Sequence, residues 1–149
     1  MPKERTFAML KPGVLQRRLV GEVLGRLENQ GFCIIAIKML QVSRELGERH
    51  YGEHKGKAFY EPLMTYMLSG PSIAMVLERE NAIKALRHMA GATNPEEAAP
   101  GSIRGDYGVI TRRNILHASD SPESAAREIG IFFSPEELYP WVDGNEQWF

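Results

Sequence analysis

The sequence predicts an α+β fold. Segments with strand character lie near the start, in the middle and towards the end of the chain, and stretches with helical periodicity separate them. The chain has 149 residues, of which 43% are hydrophobic and 25% are charged, so it can enclose one sizeable core. Internal repeats, low-complexity segments and linkers are not visible in it. We therefore expect residues 1–149 to form a single domain.

The first half of the chain alternates predicted strands and helices. Apolar residues recur every three or four positions after the first strand, and Gly31 ends this helical pattern. Ser43 has the side chain of a helix N-cap and introduces the next helix. The predicted elements are a strand at 6–10, a helix at 19–27, a strand at 32–40, and helices at 45–51 and 57–67.

The second half begins at the turn that Gly70 and Pro71 predict. Its last helix has the clearest start, because Ser121 is a good N-cap, Pro122 suits the first helical position and an acid follows. The predicted elements are a strand at 72–77, a helix at 81–89, an irregular region at 91–108, a strand at 114–117 and a helix at 122–129. Long irregular regions in compact domains tend to be functional, so residues 91–108 are of interest.

Composition and charge exclude several classes of protein. A formal net charge of -1 and a pI near 6.4 give no general electrostatic attraction to nucleic acid or to membrane surfaces. No apolar run approaches the roughly 18 residues of a membrane span, and the N-terminus does not resemble a signal peptide. The single cysteine, Cys33, lies in an apolar run and is expected to be a buried structural thiol. We expect a soluble, cytoplasmic protein whose anion sites are local.

The segment from Asn114 to Ser121 contains the most informative residue, His117. This histidine follows an apolar run and precedes the last predicted helix, on which Ser121, Ser124 and Glu128 share one face. Glu128 can therefore face back towards His117, hold one ring nitrogen and raise the nucleophilicity of the other. A histidine that merely packs at a strand end is the alternative, and this segment alone favours neither interpretation.

Three cations stand where ligand sites are often assembled. Lys11 follows the first strand, Arg87 lies on the helix after the third strand, and Arg104 lies in the irregular region. Each by itself is more often a solvated surface charge. If they converge with Thr93 and Asn114, they could neutralise a polyphosphate, as phosphoryl transfer requires. Sequence spacing does not establish this convergence.

Two aromatic residues and two histidines in the region of residues 50–59 have competing interpretations. Tyr51 and Phe59 could present an aromatic face to a nucleobase, although core packing is the commoner role of such residues. His50 and His54 have the spacing of a metal pair on a helix, but Gly52 weakens that helix. We therefore expect both histidines to be solvated.

Taken together, these residues resemble the nucleoside diphosphate kinase family over essentially the whole chain. The signature is residues 114–121, NILHASDS. The supporting segments are 9–12 (MLKP), 16–17 (QR), 50–57 (HYGEHKGK), 69–71 (SGP), 91–95 (GATNP) and 100–106 (PGSIRGD). So many ordered matches make the resemblance specific.

The resemblance implies a ferredoxin-like α+β sandwich with a four-stranded antiparallel sheet. It also implies transfer of the γ-phosphoryl group from a nucleoside triphosphate to a nucleoside diphosphate through a phosphohistidine. His117 matches the nucleophile, acting through Nδ1, Glu128 matches the carboxylate that orients it, and Ser119 assists. Phe59 matches the ring on which the base stacks. The residues that match the phosphate and ribose contacts are Lys11, which also counts as catalytic, Tyr51, Arg87, Thr93, Arg104 and Asn114. Mg²⁺ would arrive with the nucleotide phosphates and not in a protein cage.

The resemblance also implies self-assembly. Family members form hexamers or tetramers from a shared dimer, and the tail ending in Phe149, with the loop at Pro95, favours a homo-hexamer. Specific nucleic-acid binding and membrane binding are not expected. A nucleotide-binding interaction module without turnover is the alternative function, but such a module would be expected to lack the histidine, the lysine or the arginines.

Three residues depart from the family pattern. Gly13 stands where an aspartate usually follows Lys-Pro, so the turn there could differ. Ala118 replaces the usual glycine after the histidine, and alanine would be strained if this position needs a positive φ. Thr111 occupies a commonly apolar position opposite Phe59 and could loosen stacking of the base. None of the three removes a catalytic group, so we expect an active enzyme.

Overall fold

A four-stranded antiparallel sheet forms the centre of the computed structural model, which describes residues 2–149. The strands are β1 (Lys3–Leu10), β2 (Cys33–Leu40), β3 (Ser72–Glu80) and β4 (Leu116–Ala118). Their order in the sheet is β2-β3-β1-β4, and every neighbouring pair is antiparallel. β1 is therefore a central strand whose partner on one side is the short strand β4.

Helices lie around this sheet. They are α1 (Val20–Asn29), α2 (Arg44–Tyr51), α3 (Tyr60–Met67), α4 (Ala82–Ala90), α5 (Ile103–Tyr107) and α6 (Pro122–Phe132). The predicted N-caps are confirmed, because the hydroxyl of Ser43 accepts from the Leu46 N–H and that of Ser121 accepts from the Ser124 N–H. In residues 2–149, none of the helices combines the length and the apolar character needed to cross a membrane.

The sheet buries side chains on both faces. Successive residues of a strand point to opposite sides, so Ala8 and Leu10 of β1 enter one hydrophobic cluster while Phe7 and Met9 enter the other. The first cluster joins the sheet to α1 and α4, and the second joins it to α2, α3 and α6. The predicted α+β fold, with a four-stranded antiparallel sheet and surrounding helices, is confirmed.

Some element bounds differ from the predictions for identifiable reasons. β3 continues to Glu80, past residue 77, because its charged end pairs with the charged start of β1, where Arg5 Nε lies 2.9 Å from Glu78 Oε2. The region 91–108 was predicted to be irregular, but it contains α5, whose first turn is capped by Ser102. The predicted helix at 57–67 begins only at Tyr60.

Candidate active site

A tight turn leads into β4 and sets the position of the candidate site. Ile115 has a φ of 75°, and the Leu116 N–H donates to the carbonyl of Asn114 at 2.9 Å, which is the hydrogen bond of a γ-turn. A β-branched residue in this conformation is strained by about 1–3 kcal/mol. The turn delays the start of β4 to Leu116, so the predicted strand start at residue 114 was wrong.

Pairing between β4 and β1 places the two chemically important segments side by side. His117 lies opposite Met9, and Leu116 lies opposite Leu10. The backbone N–H of Lys11, the first residue after β1, donates to the carbonyl of Ile115 at 2.9 Å. The turn thus aligns Lys11 with the start of β4.

Glu128 of α6 contacts the Nε2 side of the His117 ring. Its Oε2 lies 2.7 Å from His117 Nε2, and its Oε1 accepts a short hydrogen bond from the Ser119 hydroxyl. Glu128 is buried, whereas 23% of the His117 side chain is exposed. Because the carboxylate occupies Nε2, Nδ1 is the ring nitrogen that remains for other partners. The arrangement gives an accessible imidazole whose tautomer and orientation are fixed.

Arg104 is buried beneath the turn, and three backbone carbonyls hold its guanidinium. Its guanidinium donates to the carbonyls of Gly91 at 2.9 Å, Asn114 at 3.2 Å and Leu116 at 2.8 Å. Burial, together with the nearby charge of Arg87, lowers the pKa of Arg104 to about 10, so the guanidinium stays charged at neutral pH. Arg104 therefore fixes the backbone of the site and adds positive charge to it.

Lys11 carries its amino group into the same buried region. Lys11 Nζ donates to Asn114 Oδ1 at 2.7 Å, and within residues 2–149 it makes no salt bridge. Burial, with a smaller contribution from the charge of Arg104, lowers the pKa of Lys11 to about 7. A buried ammonium without a carboxylate partner is a site prepared for an anion.

Arg87 and Thr93 lie at the exposed edge of this cationic group. Arg87 Nη1 donates to the carbonyl of Ala118 at 3.2 Å, and Asn114 Nδ2 donates to the carbonyl of Thr93 at 2.9 Å. Both residues, with Lys84 and His88, line a shallow cavity of about 470 Å³. The structure therefore brings the three predicted cations together with Thr93 and Asn114 around the segment 114–118.

The two aromatic residues occupy different environments. Tyr51 is buried, its ring centroid lies 6.5 Å from that of His117, and its hydroxyl has no hydrogen-bond partner among residues 2–149. Phe59 is 50% exposed, and its ring has His54 at 5.2 Å and the Lys57 amino group at 5.7 Å. Tyr51 thus belongs to the cluster around His117, whereas Phe59 lies outside this cluster and has an exposed ring face.

His50 contradicts the prediction that it is solvated. It is 3% exposed, its ring centroid lies 4.6 Å from that of His117, and its Nδ1 lies 3.6 Å from Glu128 Oε2. Burial, aided by the proximity of His117, lowers the pKa of His50 to about 2, so the ring is neutral. His50 belongs to the buried stripe of α2, which Leu46, Gly47 and Tyr51 complete at helical spacing, and this stripe was the sequence signal for it.

The other histidine of the predicted pair lies outside this cluster. α2 ends before Gly52, and His54 belongs to a following 3₁₀ helix, Gly52–His54. With 31% of its side chain exposed, His54 is only partly solvated, and it packs beside Phe59. The two histidines therefore do not form a pair on one helix.

The three residues that depart from the family pattern lie in different structural environments. Ala118 lies in β4 and does not have a positive φ, so the strain considered for it does not arise. Gly13 has a φ of 99° and its N–H donates to Gln16 Oε1 at 3.0 Å, so a glycine suits this turn. Thr111 is exposed at the start of the 3₁₀ helix Thr111–Arg113.

The chain is similar to known proteins over most of its length. The family model for nucleoside diphosphate kinase matches residues 4–138. A nucleoside diphosphate kinase of Archaeoglobus fulgidus is 57% identical over 145 residues, which are 97% of this chain and 96% of that protein. Another, of Pelotomaculum thermopropionicum, is 54% identical over 97% of each chain.

A solved structure is similar over nearly the whole length. The nucleoside diphosphate kinase of Halobacterium salinarum, solved in complex with CDP, superposes with a TM-score of 0.96. It is 40% identical in sequence, and the alignment covers 99% of this chain and 98% of that one. The protein therefore belongs to the nucleoside diphosphate kinase family and is a phosphotransferase that moves the γ-phosphoryl group of a nucleoside triphosphate to a nucleoside diphosphate.

Proposed function

We propose that His117 is the nucleophile and carries the phosphoryl group between two half-reactions. Glu128 holds Nε2 at 2.7 Å, which leaves Nδ1 to attack the γ-phosphorus while the carboxylate balances the charge that develops on the ring. Ser119 hydrogen-bonds the other carboxylate oxygen and keeps Glu128 in place. The phosphohistidine then passes its group to a nucleoside diphosphate in the same site, because the second half-reaction is the reverse of the first.

Binding of the phosphates falls to the cationic group around residues 114–118. Lys11, Arg87 and Arg104 supply positive charge, and a loose phosphoryl-transfer transition state needs mainly such charge and correct positioning. Thr93 and Asn114 offer polar groups for phosphate or ribose oxygens. Tyr51 supports this assignment, because its buried hydroxyl lacks a protein partner among the described residues and is free to donate to a ligand.

Base stacking is assigned to Phe59. Its ring is half exposed, and an aromatic face binds any nucleobase without reading its hydrogen-bonding edge. Such a contact explains how one site accepts several nucleotides. Thr111, which is also exposed, offers a smaller apolar surface than the residue usual in the family.

Mg²⁺ is proposed to enter with the nucleotide. The groups that line the phosphate region are cationic or neutral and do not form a cage for a hard cation, so phosphate oxygens and water would hold the ion. Asp120 is the exposed carboxylate of this segment, and hydrogen bonding from Ser124, with the charge of Arg87, keeps its pKa below the usual range. An ionised Asp120 could receive the water shell of the ion. When bound, Mg²⁺ neutralises phosphate charge during transfer.

Acid-labile labelling tests the phosphohistidine. The protein is mixed with γ-labelled ATP, freed of nucleotide and then exposed to CDP. We expect label that is stable to base, lost in acid and discharged to CDP, and we expect none in His117→Ala. Unlabelled wild type, or label that persists in the variant, would disprove the proposed phosphohistidine intermediate. A non-catalytic nucleotide-binding module would bind ATP without this label, and the catalytic interpretation fits the family better.

We also propose that the chain acts as one domain in a cytoplasmic homo-hexamer, without specific nucleic-acid or membrane partners. Exposed hydrophobic residues support self-association: Met39 on the edge strand β2 is 63% exposed, and Trp148 and Phe149 are 76% and 69% exposed. Cys33 is only partly buried, contrary to the expectation of a buried thiol, and as a free thiol it suits a reducing compartment. The substrates would be nucleoside di- and triphosphates.

The loop at Pro95 is the proposed support of the hexamer. Pro95 is buried, and its ring packs so closely on Gly108 that a side chain there would come within 2.7 Å of it. We expect Pro95→Ser to loosen this loop and to shift the sedimentation coefficient towards a smaller assembly. Pro100→Ser is the matched control, because Pro100 is exposed in the same region. If both variants sediment like the wild type, the loop does not support the assembly.

A further inference from the structure

His50, His117 and Glu128 form a cluster with the donor atoms of a transition-metal site. One ligand atom of each residue lies within 4.8 Å of the others, with 2.7 Å between His117 Nε2 and Glu128 Oε2 and 3.6 Å between His50 Nδ1 and Glu128 Oε2. Two imidazoles and one carboxylate are a ligand set that binds Zn²⁺ with a fourth position open to water.

His50 gives the cluster an unused ligand. Its side chain is 1% exposed, and neither ring nitrogen has a hydrogen-bond partner among residues 2–149. Buried polar atoms are nearly always paired, so an unpaired imidazole that faces a carboxylate needs an explanation.

The spacing of the donor atoms suits a small tetrahedral ion. Zinc-to-nitrogen and zinc-to-oxygen distances of about 2.0–2.2 Å place neighbouring ligand atoms about 3.4 Å apart. The observed separations fall on both sides of this value, from 2.7 Å up to at most 4.8 Å, so the side chains would rotate to bring all three atoms to one ion. His117 is partly exposed, so an ion can reach the cluster from solvent on this side.

We propose that His50, His117 and Glu128 bind a borderline transition-metal ion such as Zn²⁺, and that this ion inhibits the enzyme. The ion would take the place of the Nε2 proton in the hydrogen bond between His117 and Glu128, and that proton would pass through solvent to Nδ1, so the ring remains a neutral ligand. Nδ1 would then carry a proton instead of the free electron pair that attacks phosphorus, and Glu128 would no longer balance charge on the ring. Imidazole ligands favour Zn²⁺ or Cu²⁺ over Mg²⁺, so this site is separate from the ion that travels with the nucleotide.

A zinc titration in Mg²⁺-free and nucleotide-free buffer tests the binding. We expect one Zn²⁺ per chain in the wild type by calorimetry, and an affinity at least about 100-fold weaker in His50→Phe. Phenylalanine suits this position, because His50 packs against Phe7 and Phe132 at centroid distances of 6.0 and 5.1 Å. His50→Leu provides a second variant if circular dichroism shows that His50→Phe does not fold.

The matched controls are the other histidines. His54→Gln and His88→Gln remove imidazoles that are partly or fully exposed and lie outside the cluster, so we expect them to bind Zn²⁺ as tightly as the wild type does. Co²⁺ gives an independent readout, since a tetrahedral site produces an intense visible absorption that His50→Phe should lack. Equal affinity in wild type and His50→Phe, or loss of binding in either control, would overturn the site.

Inhibition is measured separately from binding. We expect Zn²⁺ at its dissociation constant to halve the phosphotransfer rate of the wild type with saturating Mg²⁺, and a zinc-selective chelator to restore it. This consequence rests on the proposed role of His117, whereas the binding does not. Zinc that binds through His50 but leaves the rate unchanged would disprove the inhibition, and failure of the labelling experiment would not affect the binding result.

Discussion

Replacing His117 with glutamine is expected to lower kcat/KM by at least about 10⁴-fold, because the variant has no atom that can carry the phosphoryl group. Glutamine keeps the approximate length of the side chain, and its amide can still donate to Glu128. The loss would therefore report the missing nucleophile and not a collapsed site. A coupled assay of ATP and CDP turnover measures it, with His54→Gln as a control that should keep the wild-type rate.

The Glu128→Gln variant tests whether Glu128 only orients His117 or takes part in the phosphoryl transfer itself. The amide retains the shape of the carboxylate but cannot balance positive charge on the ring, so we expect a partial loss of about 10²-fold in kcat with labelling still detectable. A Glu128→Gln enzyme as inactive as His117→Gln would place the carboxylate in the transfer step. A fully active His117→Gln enzyme would exclude His117 as the carrier.

Replacing Lys11 has the second largest expected effect. Lys11→Met removes the buried ammonium, whose one hydrogen-bond partner among residues 2–149 is Asn114, and we expect kcat/KM to fall by about 10²- to 10³-fold. The same assay measures this loss.

The low pKa of Lys11 predicts that nucleotide binding takes up a proton. Without nucleotide the pKa is about 7, and a bound polyphosphate favours the charged form and raises it. Above pH 7, binding must therefore protonate Lys11, so affinity for the nucleotide should fall as pH rises from 7 towards 9. Calorimetry at pH 8 in buffers of different ionisation enthalpy should show uptake of up to about one proton.

Lys11→Arg is the matched control for this linkage. Arginine keeps the positive charge but does not titrate in this range, so proton uptake at pH 8 should disappear and affinity should vary less with pH. Equal uptake by wild type and Lys11→Arg would assign the proton to another group.

Local sequence patterns predicted the elements that have strong local signals. The N-caps Ser43 and Ser121 identified the starts of α2 and α6, because their side chains bond the backbone within the same turn. The charged end of β3 was missed, since residues 78–80 are stabilised by pairing with β1, which is distant in sequence. The turn at Ile115 was also missed, because no local preference favours a positive φ for isoleucine.

For the candidate site, too, the sequence predicted some features and missed others. The sequence indicated the residue types of a phosphoryl-transfer site, and the helix face that Glu128 shares with Ser121 and Ser124 allowed a contact with His117 without deciding it. It did not predict that His50 is buried beside them, since Gly52 and the paired histidine at residue 54 suggested a solvated helix end. The roles assigned to Tyr51, Phe59 and the cations remain proposals that the experiments above test.

The sequence by itself determined the α+β class, the family and the capped starts of α2 and α6, because periodicity, capping and ordered motifs are local properties. Only the tertiary structure decided that Lys11 is buried, that Arg104 is held by three carbonyls, and that His50 faces Glu128. Among residues 2–149, Lys11 has no counter-ion and the His50 ring nitrogens have no hydrogen-bond partner. Burial and charge proximity depend on strand pairing and helix packing between segments far apart in the chain. These two quantities set the pKa of Lys11, and the same packing sets the positions of the donor atoms in the proposed zinc site.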